Sequence, residues 1–368
     1  MLRKQIFAIQ NEADFTAVAL KVFAYQYENC KIYRRYADML RCDPNKITDI
    51  EHIPFLPIEF FKTQRIIAEG KSEQICFTSS GTTGNQTSTH FVADKSLYEE
   101  SFLRCFRQFF GNPTDYAILA LLPSYLEREN SSLVYMVNEL IVQSKNPDSG
   151  FYLYDFDKFT DKITQLDAQN RKILVFGVGF ALLDVVEQKQ FNCKNLIVLE
   201  TGGMKGRRRE ISREELHQKL QIGFGVKTVC SEYGMTELLS QAYAVPPIAP
   251  PKNAAPLSPP PKNSSPNPSE GGEYFPPSGG VRGTAFQTPA WMKVLIRDPQ
   301  DPLRIVKQPN SRGGMNVIDL ANLYSCSFIA TQDLGRMGLN GSFEVLGRMQ
   351  NSDIRGCNML VENEIIMN

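Results

Sequence analysis

The chain has 368 residues, enough for one large domain accompanied by a smaller one. Lysine plus arginine total 40, and aspartate plus glutamate also total 40, so no net charge attracts a polyanion. The sequence also lacks a basic stripe interleaved with aromatic residues, which argues against nucleic acid as a partner.

Membrane insertion is not expected either. No uninterrupted apolar run approaches the roughly 20 residues that a membrane-spanning helix needs, and the first twelve residues do not resemble a secretion signal. The eight cysteines show neither a CxxC pair nor a zinc-binding spacing, which is typical of a reducing compartment. We therefore expect a soluble, cytoplasmic protein without a transmembrane segment.

The order of the predicted elements indicates the fold class. Apolar residues at three- and four-residue steps in residues 11–42 predict one or two amphipathic helices. Short β-rich runs at 117–122, 173–176 and 196–199 then alternate with helical patterns at 131–144 and 212–220. This alternation predicts an α/β fold, with parallel and mixed sheets flanked by helices, that binds ligands at the carboxyl ends of its strands.

The last third of the chain has a different composition. Residues 246–280 contain 12 of the 22 prolines and few aliphatic residues, which predicts a flexible insertion. Two further β-rich runs follow, at 291–297 and 325–330. We expect residues 1–332 to form a large domain and residues 333–368 to form a truncated C-terminal hinge or stub, because 36 residues are few for a domain.

A run of hydroxyl residues and glycines forms the strongest local motif. It follows a β-rich run and consists of Thr78, Ser79, Ser80, Gly81, Thr82, Thr83 and Gly84. Glycines let consecutive backbone N–H groups point inward, and hydroxyls add donors, so such a loop can hold phosphate oxygens. The spacing is not that of a Walker loop, and a Ser/Thr-rich hairpin is the alternative.

A second motif lies far downstream, at Tyr233, Gly234, Met235, Thr236 and Glu237. A tyrosine can stack on a base, a threonine can bind phosphate, and a carboxylate can hold Mg²⁺ against phosphate oxygens, a role assigned to Glu237. A turn followed by a helix N-cap is the alternative.

Upstream, the paired Gly202 and Gly203 end another β-rich run. The basic turn after them begins at Lys205, a catalytic candidate that could instead be a solvated helix start.

Together these motifs resemble those of the adenylate-forming superfamily, which includes acyl-CoA and aryl-CoA ligases. The resemblance implies that residues 78–84 bind ATP phosphates, and that Gly202, Gly203, Tyr233 and Gly234 lie around the nucleotide. Asp333 and Arg348 are similar to the hinge region of these enzymes, which implies that Asp333 binds the ribose and that Arg348 approaches the nucleotide. One departure is that Gln86 and Thr87 stand where most members have a Pro-Lys pair.

The C-terminal region resembles one branch, the LuxE-type acyl-protein synthetases, as do residues 53–62 and 122–128. The last lysine is Lys307, so the C-terminal lysine of ordinary members has no counterpart here. The resemblance implies that Cys357 accepts the acyl group as a thioester and passes it to an acyl-CoA reductase-type partner. Arg355 and Gly356 beside it favour a reactive thiolate.

The expected activity is therefore MgATP-dependent activation of a fatty (carboxylic) acid to an acyl-adenylate, followed by transfer to Cys357. One alternative is an acyl- or aryl-CoA ligase that uses CoA or a carrier thiol. Another is a non-catalytic nucleotide-binding homologue that acts as a scaffold for a reductase. His52 and His217 are expected to be structural or exposed. His90, six residues past Gly84, is expected to be a core or surface residue, with a position at the phosphate site as the alternative.

Overall fold

The computed structural model of the chain describes residues 1–79, 87–123, 130–202, 208–209, 211–245, 285–308 and 310–349. The proline-rich segment 246–280 and Cys357 lie outside these ranges. The helices of the described part are α1 Leu2–Ile6, α2 Glu12–Asn29, α3 Lys31–Met39, α4 Phe60–Thr63, α5 Lys95–Phe110, α6 Ser132–Ser144, α7 Phe156–Ala168, α8 Gly179–Gln188 and α9 Arg213–Phe224.

The strands are β1 Leu56–Pro57, β2 Ile75–Thr78, β3 Thr89–Val92, β4 Ala117–Leu121, β5 Gly150–Phe151, β6 Ile173–Val178, β7 Leu196–Thr201, β8 Cys230–Tyr233, β9 Ala242–Ala244, β10 Met292–Arg297, β11 Arg312–Asp319, β12 Phe328–Met337 and β13 Phe343–Arg348. The described residues contain no helix with both the length and the apolar character that crossing a bilayer requires.

The larger sheet has the strand order β5-β4-β6-β7-β8-β9. Its neighbouring strands run parallel from β5 to β8, and β9 pairs antiparallel with β8. Every residue of β4 and β6 is buried, as expected for strands of a parallel sheet covered on both faces. The predicted α/β fold with parallel and mixed sheets flanked by helices is confirmed.

A second sheet has the order β1-β12-β11-β10, and β13 also pairs with β12. Strands β2 and β3 form a separate antiparallel hairpin. The last predicted strand, at 325–330, begins later and extends to Met337, because its second half pairs with both β11 and β13. Residue 333 thus lies inside β12, and the division of the chain at residues 332 and 333 stays a prediction.

The N-terminal helices confirm the prediction for residues 11–42. The Asn11 side chain caps α2 by accepting the backbone N–H of Asp14, and α2 buries Phe15, Val18 and Val22. Polar contacts add to this packing, since the Gln26 amide donates to the Asn322 carbonyl at 2.9 Å and to the Ser327 hydroxyl at 3.0 Å. The helix thereby fixes the chain that leads into β12.

Candidate functional site

The strands that flank the hydroxyl- and glycine-rich motif form the hairpin β2-β3. Thr78 ends β2, and its backbone N–H donates to the Asn130 carbonyl at 2.8 Å. The Ser79 N–H donates to the Ser88 carbonyl, and the Ser88 N–H returns a bond to the Ser79 hydroxyl, both at 3.0 Å. This pair of hydrogen bonds closes the base of the loop. Ser80, Gly81, Thr82, Thr83 and Gly84 lie outside the described residues.

The second motif begins at the carboxyl end of β8, where the fold class predicts a ligand site. Tyr233 is the last residue of β8, and Thr201 at the end of β7 is in register with Glu232. Gly202 follows β7 with a φ of 61°, a conformation that favours glycine. Gly202 and Tyr233 thus lie at neighbouring strand ends, whereas Gly203 and Lys205 are outside the described residues.

Gly234 lies close to the side chain of Glu232 in β8, and a side chain at position 234 would displace it. A Cβ at this position would lie 2.4 Å from Oε1 of the buried Glu232 side chain. The next residues form a turn in which the Leu238 N–H donates to the Met235 carbonyl at 3.1 Å, and no helix follows. The alternative of a helix N-cap at Thr236 is therefore wrong.

Asp333 and Arg348, the hinge-like residues that form the third motif, lie beside the second motif. Oδ2 of Asp333 accepts a 2.8 Å hydrogen bond from the Tyr233 hydroxyl, and its Oδ1 lies 3.6 Å from Nε of Arg348. Asp333 and Arg348 are also direct partners in the antiparallel pairing of β12 with β13. Burial raises the pKa of the Asp333 carboxyl, against the opposing effects of Tyr233, Arg348 and Arg297.

Tyr233 is held from several sides. Its ring centroid lies 5.8 Å from that of Phe286 and 5.5 Å from that of Phe343 in an edge-to-face contact. Burial, together with the nearby Asp333 carboxylate, raises the pKa of its hydroxyl well above the usual value. The hydroxyl is therefore a fixed neutral donor to Asp333.

Glu237, the predicted metal ligand, is a buried carboxylate with 5% exposure. Burial raises its pKa, while hydrogen bonding to the Ser88 hydroxyl and the positive charges of Arg348 and Lys62 lower it. Glu237 therefore lies near Ser88, at the base of the first loop, and near Arg348 of the third motif.

A divalent cation fits this arrangement. Mg²⁺ prefers oxygen ligands and is commonly bound through one or two protein carboxylates together with phosphate oxygens. Within the described ranges no group of three His, Cys, Asp or Glu side chains could hold a metal by itself. Glu237 would then hold Mg²⁺ together with bound phosphate.

Three residues around the site were not predicted from the sequence. Ser88 contacts the Glu237 carboxylate, and Nδ1 of His90 lies 2.9 Å from the Thr236 carbonyl. Arg297, only 7% exposed, donates to the Met315 carbonyl at 2.7 Å and to the Asn316 side chain at 2.9 Å beside β12. Burial lowers the pKa of its guanidinium to about 10. The run 291–297 also contains Lys293, so no signal in its sequence singles out Arg297.

The structure places one of the three histidines at the surface and two in the interior. His52 is exposed, with Nδ1 2.7 Å from the Asp49 carboxylate. His217 is buried, and its Nε2 lies 3.1 Å from the Ser231 hydroxyl. His90 is fully buried at the centre of the site region.

Comparison with known proteins gives one family. Residues 7–245, more than half of the chain, match the family model described as acyl-protein synthetase, LuxE. The long-chain-fatty-acid–luciferin-component ligase of Photorhabdus luminescens is 38% identical over 68 residues, which are 18% of this chain and 58% of that protein.

Two similar solved structures are ATP-bound MatB from Rhodopseudomonas palustris and the AMP complex of MenE, the O-succinylbenzoate coenzyme A synthetase of Bacillus subtilis. MatB has a TM-score of 0.48 and 15% identity, over 74% of this chain and 47% of its own. MenE has a TM-score of 0.47 and 15% identity, over 77% and 64% respectively. This chain therefore spans about half of MatB, and the family match is what classifies it: the chain belongs to the LuxE acyl-protein synthetase family.

Proposed function

We propose that this protein uses MgATP to activate a carboxylic acid, and that the acid is a long-chain fatty acid. A carboxylate oxygen of the acid attacks the α-phosphorus of ATP, so the acyl-adenylate forms and pyrophosphate leaves. A thiolate sulfur then attacks the acyl carbonyl carbon, and AMP leaves with the electron pair of the broken C–O bond. Two steps replace one difficult displacement, because a free carboxylate is a poor electrophile.

The observation that carries the proposal is that described residues of the three motifs lie close to one another. Ser88 at the base of the first loop contacts Glu237 of the second. Arg348 lies close enough to Glu237 to lower its pKa and is 3.6 Å from Asp333, which accepts from Tyr233. Residues that can bind phosphate, Mg²⁺ and ribose hydroxyls thus lie in one region.

Each described side chain has a role in this scheme. Asp333 accepts hydrogen bonds from the ribose, with Tyr233 and Arg348 fixing its carboxylate. Glu237 would hold Mg²⁺ together with phosphate oxygens, and the ion would supply positive charge against the phosphates. Thr236 supplies a hydroxyl toward the α-phosphate, and the loop of residues 78–84 supplies backbone N–H groups.

We assign the acceptor thiol to Cys357. The other seven cysteines lie in the described residues, and burial raises the pKa of each thiol: Cys30, Cys42, Cys76, Cys105, Cys193, Cys230 and Cys326. A raised pKa leaves little thiolate at neutral pH, so these cysteines are weak nucleophiles. Acyl transfer to a protein group is in keeping with the family description, acyl-protein synthetase. We further propose that Cys357 passes the acyl group to a reductase partner.

The first test is acid-dependent exchange of labelled pyrophosphate into ATP, with fatty acids of increasing chain length. We expect exchange that requires Mg²⁺ and is fastest with a long-chain acid. Tight ATP binding without exchange for any acid would contradict activation and would instead support a non-catalytic scaffold.

The second test uses a labelled fatty acid with ATP, followed by denaturation. We expect label on the wild-type protein that hydroxylamine releases, and no label on Cys357→Ser. Cys193→Ser is the matched control and should be labelled like the wild type, since burial raises the pKa of Cys193 to about 11. Label that appears on CoA alone, with Cys357→Ser as active as the wild type, would assign the protein to the CoA ligases.

A further inference from the structure

Two buried side chains of the first hairpin contact consecutive residues of the second motif. Ser88 is 3% exposed and His90 is fully buried, and residues two apart on a strand face the same side. The Ser88 hydroxyl lies close enough to the Glu237 carboxylate to lower its pKa, and the His90 ring bonds to the Thr236 carbonyl at 2.9 Å. The strand that leaves the phosphate loop thus contacts the predicted metal ligand and its neighbour.

The chemistry of the His90 contact defines its protonation state. A carbonyl oxygen only accepts, so Nδ1 must carry the proton that forms the 2.9 Å bond to Thr236. The other nitrogen, Nε2, is buried and has no hydrogen-bond partner in the described part of the chain. Phe61 packs edge-to-face against the ring with centroids 5.6 Å apart. His90 is therefore a neutral, rigidly held donor.

The backbone on both sides of Glu237 is fixed. His90 holds the Thr236 carbonyl, and the buried Asn322 side chain donates to the Glu237 carbonyl at 2.7 Å. With both neighbouring peptide groups held, the direction of the Glu237 side chain is set, and Ser88 orients its carboxylate. Small displacements of a metal ligand are costly, and loss of a residue that supports a ligand typically weakens metal binding or activity about 10–100-fold.

We infer that His90 is a positioning residue for the magnesium site: its Nδ1–H holds the Thr236–Glu237 turn at a set distance from the strand that leaves the phosphate loop. The inference rests on the proposed function and assigns to a buried histidine a role that packing alone does not give. His90 does not touch the substrate in this scheme, and it acts through the backbone of Thr236.

The experiment compares two substitutions of the buried His90. His90→Leu fills the space but removes the donor, whereas His90→Asn places an amide N–H near the position of Nδ1. We measure acid-dependent pyrophosphate exchange against Mg²⁺ concentration at saturating ATP, together with the thermal unfolding midpoint. His90→Leu should raise the Mg²⁺ concentration for half-maximal rate about tenfold or more. His90→Asn should restore it to within about threefold of the wild type.

Phe61→Leu serves as the packing control. It removes the edge contact with the imidazole but leaves both ring nitrogens, so it should lower the unfolding midpoint without changing the Mg²⁺ dependence. If His90→Leu lowers the midpoint too far for assay, His90→Asn and Ser88→Ala are compared instead, and only Ser88→Ala should shift the Mg²⁺ dependence strongly.

The outcomes separate this inference from the proposed function. Active wild-type protein with an unchanged Mg²⁺ dependence in His90→Leu would overturn the positioning role alone. Equal shifts in His90→Leu and Phe61→Leu would also overturn it, because packing would then explain both. Wild-type protein without exchange for any acid would overturn the proposed function and this inference with it.

Discussion

The Tyr233 hydroxyl donates a 2.8 Å hydrogen bond to Oδ2 of Asp333, although 100 positions of sequence separate the two residues. The bond joins the end of β8 in the larger sheet to β12 in the second sheet. Because Arg348 lies on the other carboxylate oxygen, Asp333 is held from two sides. The two sheets therefore meet at a fixed carboxylate.

This relationship predicts graded effects on nucleotide binding. Asp333→Ala should weaken ATP binding by on the order of tenfold to a hundredfold, because hydrogen bonds to a charged group contribute about 1.5–3 kcal/mol. Tyr233→Phe keeps the ring contacts with Phe286 and Phe343 and removes one donor, so it should weaken binding less, by about threefold to tenfold. Isothermal titration with ATP and AMP measures both, and equal affinity of Asp333→Ala and wild type would remove Asp333 from the site.

A second prediction concerns Glu237. Glu237→Gln keeps the shape and an oxygen acceptor for Ser88 but removes the charge that holds Mg²⁺. The rate of pyrophosphate exchange should fall by on the order of a hundredfold. The unfolding midpoint should stay the same or rise, because burying a carboxylate is costly.

Glu344→Gln is the matched control for Glu237→Gln. Glu344 is a partly exposed carboxylate on β13 paired with Arg336, and its substitution should leave exchange unchanged. Similar losses of exchange in the two variants would point to a general effect of charge on the protein.

A third prediction follows from the fully buried His90, whose pKa is lowered to about 4 by burial. Unfolding exposes the ring, whose pKa then returns to about 6.5, so the unfolded state binds more protons between these two values. The neutral ring contributes its full stability above pH about 6.5, and this contribution is lost as pH falls toward 4. The loss reaches about 3 kcal/mol.

The measurement is the difference in unfolding free energy between wild type and His90→Asn, from urea titrations across this pH range. Other groups that titrate there, such as Asp319, whose pKa burial raises to about 6, are present in both proteins and cancel. The wild type should lose stability relative to the variant as pH falls. A difference that is constant with pH would show that His90 is not buried in the neutral form.

A fourth prediction tests the packing around Arg297. A Cβ at Gly313 would lie 2.1 Å from the Arg297 carbonyl oxygen, which belongs to the neighbouring strand and cannot move freely. Gly313→Ala should therefore lower the free energy of unfolding by about 1–3 kcal/mol. In Gly150→Ala the new methyl meets only the Tyr152 ring, at 3.6 Å, so this control should change stability little. The measurement is the free energy of unfolding of both variants from urea denaturation. Equal values would contradict the close approach of Gly313 to the Arg297 carbonyl oxygen.

The sequence by itself determined the local elements and the residues with suitable chemistry. Strands β4, β6 and β7 were predicted within two residues of their starts and ends, because long apolar runs bounded by glycine or proline have few alternatives. Tyr233 and Glu237 were proposed as site residues because their short motif carries its own chemical signature, and Asp333 was proposed through the family resemblance. The boundary of β12 was missed, since its second half is a strand only through pairing with β11 on one side and β13 on the other.

Only the tertiary structure decided which of these residues meet. Ser88 and His90 carry no motif of their own. Ser88 directly precedes β3 and His90 lies within it, and the fold brings His90 against the turn at Thr236, 146 positions later. Asn322 holds the far side of the same turn from 85 residues away. Such contacts depend on strand order, register and burial, which arise from packing of the whole chain, whereas a local pattern records only the preferences of neighbouring residues.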